Sequence, residues 1–221
     1  MDKEQFAKEL KKNKKRFDKA PLILELCANK SVLDVGCVGQ DYSYKNPLWL
    51  HKRISKVCSK IDGVDINQMG IDELKGMGIS VYHADELTKT SNKYDVILMA
   101  DVIEHVNDPV EFLKFYSPFL DDNGVIIITT PNAHGVRNLT SILVRNDYSL
   151  NPEHTFWFCP KTLAEVVTRA SLTFDSFYWL NESFTYKELN TIKNKIIYLT
   201  NMFFIRLRSN FNPNFMIIVK K

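Results

Sequence analysis

Short apolar runs separated by stretches of helical periodicity leave this chain few architectures. Ser31-Val-Leu-Asp-Val35 is one such run, stopped by Gly36. Ile61 to Ile66, Ile79 to Tyr82, Tyr94 to Met99 and Val125 to Thr130 repeat the pattern, the last after an Asn123-Gly124 turn. Between them the spacing predicts helices over 47–59 behind Pro47, over Asp72 to Met77, and from Asp108-Pro109 to Leu120, with Asp108 as N-cap. Strands alternating with helices demand a mostly parallel sheet covered on both faces. The end departs from the alternation: a helix from Pro160 to Ala170, a strand from Leu172 to Leu180, a helical stretch over 186–207, and a last strand from Phe215 to Val219. The expected fold class is α/β, with a seven-stranded mostly parallel sheet, helices on both faces and the last strand antiparallel. No linker or repeat divides residues 1–221, so one domain is expected. Its parts are N-terminal helices over 1–28 (the second from Leu22 to Ala28 behind Pro21), a substrate-covering segment over 131–159 with few regular signals, and a helical insertion over 186–208.

Charge is unevenly spread. Residues 1–20 carry +4 and residues 186–221 carry +6, against −7 for the middle, within a net charge of +3. Two basic ends on an acidic body point to an anionic partner or to solvated helix faces. Phe6, Leu10 and Phe17 among lysines predict a basic amphipathic helix at the start. Cys27, Cys37, Cys58 and Cys159 show neither C-x-x-C pairing nor metal-ligand spacing, so they read as reduced thiols in a cytoplasmic protein. The charged start is no signal peptide, and no apolar stretch has transmembrane length.

The first strand ends in Val32-Leu-Asp-Val-Gly-Cys-Val-Gly-Gln40, where the backbone turns and can approach a ligand. Asp65 ends the next strand, placed to accept hydrogen bonds from a ribose diol. A dinucleotide enzyme needs G-x-G-x-x-G to admit a pyrophosphate, and only Gly36 and Gly39 are present. Asp34 repels a pyrophosphate and suits a cationic ligand such as S-adenosylmethionine (SAM), which disfavours a nicotinamide oxidoreductase.

At this point the chain resembles the class I SAM-dependent methyltransferases, whose fold is Rossmann-like. The resemblance is carried, in order, by Val32-Leu-Asp-Val-Gly36, Gly63-Val-Asp-Ile66, His83-Ala-Asp-Glu86, Tyr94-Asp-Val-Ile97, Asp101-Val-Ile-Glu-His-Val106 and Gly124-Val-Ile-Ile-Ile-Thr-Thr-Pro-Asn132, over roughly residues 31–180. Glu-His-Val and Asn151-Pro-Glu-His-Thr-Phe-Trp157 look like the small-molecule and glycan branch, similar to ubiquinone-type O-methyltransferases. The resemblance implies SAM as cofactor, with Asp34, Gly36, Cys37 and Gly39 at its amino-acid end, and Asp65 and Ile66 at the ribose. It also implies Asp85 at the adenine amine with Glu86 beside it, and Ala100 and Asp101 near the methionine part. The family turn usually reads G-x-G-x-G; Val38 and Gln40 depart from it, so this loop approaches SAM differently, and Asp41 to Leu50 is a candidate to close the pocket.

Methyl transfer to oxygen needs alignment and, for many acceptors, a base. His105, His134 and His154 all lie beyond strand ends, and His154 is the choice for the base because its loop is expected to cover the acceptor. The competing reading is that His105 or His154 ties down a loop. No metal is assigned, although Asp101, Glu104 and His105 at i, i+3 and i+4 offer a possible divalent-cation set. Phe156-Trp157-Phe158 reads either as an acceptor wall or as core packing. The expected activity is methyl transfer to an oxygen of a small-molecule, glycan or lipid-linked acceptor. RNA or protein methylation and non-catalytic SAM binding are the alternatives. Nucleic acid is disfavoured, because Ala100-Asp-Val-Ile103 lacks the Asn-Pro-Pro-Tyr-like tetrad of base-modifying relatives. Residues 186–208 offer a possible peripheral membrane contact, or a packed helix. The acceptor's identity and the oligomeric state are not legible.

Overall fold

The computed structural model describes residues 3–148, 151–181 and 191–221. Eight strands form one sheet: β1 (Arg16–Phe17), β2 (Ser31–Val35), β3 (Lys60–Asp65), β4 (Val81–His83), β5 (Tyr94–Ala100), β6 (Leu120–Pro131), β7 (Thr173–Leu180) and β8 (Asn214–Lys220). The order is β4-β3-β2-β5-β6-β8-β7-β1. β8 runs antiparallel to β6 and β7, and the other pairs are parallel. The expected sheet is thus present, with one strand more: two residues of β1 extend the edge beside β7, too short to announce themselves by periodicity.

Period-2 alternation sends Leu33, Val35, Ile97, Met99, Ile126 and Ile128 to one sheet face. There they meet Leu113 and Tyr116 of α6 (Pro109–Tyr116), Leu163 and Val167 of α8 (Pro160–Arg169), and Phe6 and Leu10 of α1 (Lys3–Lys12). Val32, Val96, Leu98, Ile127 and Ile218 face the other way, onto Leu22 and Ile23 of α2 (Lys19–Cys27) and Ile54 of α3 (Leu50–Ile54). Each such fully buried side chain contributes about 1.5–3 kcal/mol. Strands buried on both faces are largely apolar, which is why they were legible.

Several boundaries differ from the sequence reading. The helix expected over 47–59 is a short α3, preceded by a 3₁₀ turn over Gln40–Lys45. The helix expected at Asp72 starts earlier, as α4 (Gln68–Gly76), because the Asn67 side chain caps it by accepting from the Gly70 N–H at 3.1 Å. α2 begins before Pro21, which sits in its first turn. Asn123-Gly124 lies in a register break of the β5–β6 pair, between Tyr94–Leu120 and Val96–Val125. The stretch 131–159 contains an unexpected helix, α7 (Val136–Arg145), closed by Asn146 at φ +51°. Residues 186–190 of the expected insertion lie outside the described residues; the rest forms α9 (Ile192–Leu207).

From β2 the chain winds outward through β3 and β4, then crosses back to β5 on the other side of β2. The carboxyl ends of β2 and β5 therefore flank the switch point, where parallel sheets leave a crevice for ligands.

Candidate active site

The turn after β2 is held by Gly36, whose N–H bonds the Val64 carbonyl at 2.8 Å and whose φ is +77°. A Cβ there would lie 2.7 Å from Val102 Cγ2, so conformation and space both require glycine. Cys37 and Val38 occupy room provided by other glycines: a Cβ on Gly63 would meet Cys37 Sγ at 2.5 Å, and one on Gly70 would clash with Val38. The departure from the family turn is thus compensated underneath it. Burial, then the charges of Asp34 and Asp65, push the Cys37 thiol well above its ordinary range, so it is an inert packing group. All four cysteines are free thiols.

Asp34 is buried and pairs with buried His51, Nδ1 to Oδ2 at 2.9 Å. Trp49 stacks on that imidazole at 4.8 Å, and its indole N–H donates to the Cys37 carbonyl at 2.8 Å. These groups enclose a cavity of about 290 Å³ lined by Lys19, Asp34 to Cys37, Gly39, Asn46, Leu48 to His51 and Ala100. Of the Asp41 to Leu50 segment, Asn46, Leu48, Trp49 and Leu50 line this cavity. His51, Trp49 and Lys19 went unrecognised in the sequence, because no spacing relates them to the turn.

Asp65, Ile66, Asp85 and Glu86 do not line this cavity; they lie further along the same sheet edge, at the ends of β3 and β4. Asp65 Oδ2 accepts the Val38 N–H at 2.9 Å, while Oδ1 accepts those of Ile66 and Asn67 at 2.8 and 3.0 Å. Ile66 is exposed. Glu86 is committed to a capping box on the short α5 (Ala84–Leu87), with Oε2 accepting the His83 N–H at 3.2 Å, and also meets Lys75. That makes Glu86 a capping residue. The Asp85 side chain stands 89% exposed.

Ala100 and Asp101 end β5. Asp101 sits at φ +56°, held by its N–H to the Thr129 carbonyl at 3.0 Å, by Thr129 Oγ1 on Oδ1 at 2.9 Å and by an ion pair with Lys19. Desolvation pulls its carboxyl upward, but Lys19 and Thr129 hold it below the usual range.

Beside it lies a second cluster. Glu104, His105 and His154 place one ligand atom each within 4.8 Å of one another, the one such group among the described residues. The Asp101–Glu104–His105 set considered from the sequence is not formed: residues 103–105 are a 3₁₀ turn, Asp101 is committed to Lys19, and His154 takes its place. Glu104 is buried; Oε2 accepts Thr130 Oγ1 at 3.0 Å, and Oε1 has no partner. Burial, then the Asp101 charge, pushes its carboxyl up to about 8. The His105 and His154 rings meet edge to face at 4.6 Å, and desolvation followed by His105 lowers the His154 pKa.

The covering segment reaches the cluster because Thr155 N–H and Oγ1 donate to the Glu104 carbonyl at 2.9 and 3.1 Å, and Oγ1 also to Val106 at 2.8 Å. On its other side, Asn151 Nδ2 donates to Gln40 Oε1 at 3.1 Å and Gln40 Nε2 donates to Glu153. Gln40, read only as a departure from the family turn, therefore links that turn to the segment. Phe158 is buried in the core with Phe156 stacked on it at 5.8 Å, so that pair packs; Trp157 meets Tyr148 edge-on at 6.5 Å. His134 is exposed, its N–H bonded to Asn132 Oδ1, and stands outside the cluster.

A model of the family described as "Methyltransferase domain" matches residues 3–176, and the chain belongs to it, within the class I SAM-dependent methyltransferases. S-adenosylmethionine is the methyl donor of that class. Similar curated proteins include the ubiquinone biosynthesis O-methyltransferase of Pelagibacter ubique, 29% identical over 47% of this chain and 43% of the relative. The mitochondrial ubiquinone biosynthesis O-methyltransferase of Arabidopsis thaliana is 27% identical over 72% of this chain and 51% of the relative. The chain spans about half the length of these relatives. A SAM-dependent methyltransferase structure from Archaeoglobus fulgidus superposes with a TM-score of 0.54 at 20% identity over 100% of both chains. Coclaurine N-methyltransferase bound to N-methylheliamine and SAH superposes with 0.53 at 14% identity, over 91% of this chain and 72% of that one. At such identities the structural likeness establishes the fold.

Proposed function

We propose that the protein methylates an oxygen of a small-molecule, glycan or lipid-linked acceptor, with His154 as general base. SAM supplies an activated methyl on a sulfonium, so the protein must hold the donor, align the acceptor and remove its proton. Asp34, Gly36, Cys37, Gly39 and Ala100 line the cavity assigned to the amino-acid end. Asp34 places a carboxyl group where the ammonium of SAM would lie, while Lys19, which pairs with Asp101 and also lines the cavity, is placed for the SAM carboxylate. Asp65 and Ile66 are assigned to the ribose and Asp85 to the adenine amine. The relatives named for ubiquinone biosynthesis O-methylation support oxygen as the acceptor atom.

The observation that carries the reading is the imidazole pair His105–His154, pinned by Thr155 beside the carboxyl end of β5. In the direct displacement the acceptor oxygen bonds the methyl carbon as the carbon–sulfur bond breaks, and the acceptor proton goes to His154. His105 packs edge-on against that ring, and the Glu104 carbonyl anchors the neighbouring Thr155. A lowered His154 pKa keeps the imidazole neutral, the form that can accept a proton. The test is transfer of labelled methyl from SAM to a panel of phenols, glycans and lipid-linked sugars, with His154→Ala compared. The reading predicts product oxygen-linked to the acceptor and a loss of kcat of about 10²-fold or more at unchanged SAM affinity; full activity in the variant overturns the base assignment.

The partnerless Glu104 Oε1 favours one second reading. Glu104, His105 and His154 fit the donor set of a divalent cation. Such an ion would lower the acceptor's pKa by coordination. Isothermal titration with Mg²⁺ and Zn²⁺ decides between them: heat that Glu104→Gln abolishes supports the metal, and no heat from the wild type removes it.

A further inference from the structure

We propose that the outward faces of α9 and α7 together form a docking surface for an anionic lipid membrane. α9 presents the wrong side to solvent for a helix that packs only on its own domain. Its inward side carries buried Asn201 and Ile205. Its outward stripe is Ile192, Ile196, Leu199, Phe203 and Leu207, exposed at 80, 58, 56, 59 and 52%. Spacings of i, i+4, i+7, i+11 and i+15 put these five side chains on one helix face. α7 packs beside α9 and adds Leu143 and Val144, 83 and 81% exposed. Single exposed apolar residues are ordinary on any protein, whereas a stripe continued onto a neighbouring helix marks a surface that something covers.

Charge selects the occupant. Residues 191–221 contain no acidic residue, and neither does α7; of the six lysines and arginines in 191–221, Lys220 pairs with Asp175 and Lys221 donates to the Leu120 carbonyl at the far end of β8, so the positive charge beside the stripe is that of α9 and its exit. Arg206 and Arg208 are exposed at the end of the stripe, and Arg137 is exposed on α7. A second copy of the chain would set this positive charge against itself. A layer of anionic headgroups neutralises it, each basic residue raising partitioning about fivefold. No helix among the described residues is long and apolar enough to cross a membrane, so the contact is one in which α9 lies in the interface plane. The basic N-terminal helix makes the contrast: α1 turns its apolar Phe6 and Leu10 inward, and Lys8, Lys11 and Lys12 are a solvated face.

Flotation of the full chain with vesicles tests this, using phosphatidylcholine mixed with phosphatidylglycerol against phosphatidylcholine alone. The wild type is expected to float with the anionic vesicles and to be released by high salt. Ile196→Glu with Phe203→Glu, and separately Arg206→Glu with Arg208→Glu, should each lower partitioning roughly tenfold or more while leaving SAM affinity unchanged, which also reports that the variants are folded. Three results overturn the proposal: no co-flotation of the wild type, co-flotation that neither double variant weakens, or sedimentation showing a dimer that Phe203→Glu dissociates. The last would assign the stripe to a second copy.

Discussion

At the scale of single residues, the acidic side chains at the strand ends do three different jobs, and hydrogen-bond accounting separates them. Asp65 accepts three backbone N–H groups, from Val38, Ile66 and Asn67. A carboxylate has about four acceptor sites, so one remains for a ribose hydroxyl, fewer than the diol chelation the sequence suggested. Asp65→Ala is expected to weaken SAM binding by about 1.5–3 kcal/mol in a calorimetric titration, since it removes a charge-assisted acceptor and loosens the turn over Val38; unchanged affinity contradicts the ribose assignment. Glu104 does the opposite job. Its folded-state pKa is raised to about 8 by burial and by Asp101, above the ordinary 4.5. Between those values the folded chain binds more protons than the unfolded one, so this residue makes stability fall as pH rises through that window. Denaturant titrations of Glu104→Gln at pH 5 and pH 9 should show a smaller decline than the wild type, by roughly 1–3 kcal/mol; parallel pH profiles would mean that the carboxyl titrates normally. Asp34 does the third job, held by His51 at the cavity wall. That pairing was not legible, because a contact across 17 residues follows from the path of the chain between the turn and α3.

Among the elements, the turn after β2 shows how an atypical loop keeps its position. Val38 replaces a small residue and is fully buried, and Gly70 in the first turn of α4 leaves room for it. Gly70→Ala should therefore cost about 1–3 kcal/mol by overpacking, read as a lowered Tm, and Val38→Ala in the same chain should recover part of it; additive losses would show that the two positions do not share space. The segment 131–159 was legible as a loop carrying histidines, yet not as a helix followed by an anchored strip. α7 has no side-chain N-cap and four β-branched residues among its ten, Val136, Thr140, Ile142 and Val144, and its stop signal, Asn146 in the left-handed region, is conspicuous only in the structure. Gln40 went the same way. Its meaning is a partner more than 100 positions away, on Asn151 and Glu153.

For the whole molecule, buried parallel strands advertise themselves. Their runs are largely apolar and end in glycine or acid where the chain leaves the sheet, so the class of fold and the antiparallel last strand were both legible from Ser31 to Val219. Charge was legible only as a sum. Two basic ends looked alike in sequence, but the first belongs to a helix that buries Phe6 and Leu10, and the second to one that exposes Ile192, Ile196 and Phe203. Orientation about a helix axis separates them, and packing decides it. The central claim is that the crevice at the β2–β5 switch point holds the donor, its methionine end between Asp34, Gly36 and Ala100 and its ribose over Asp65. A crystal structure with S-adenosylhomocysteine tests it most directly. The account predicts the aminoacyl end in the His51–Trp49 cavity and the sulfur directed toward His154; electron density for the nucleoside on any other face of the sheet, or a sulfur turned away from the His105–His154 pair, would contradict it.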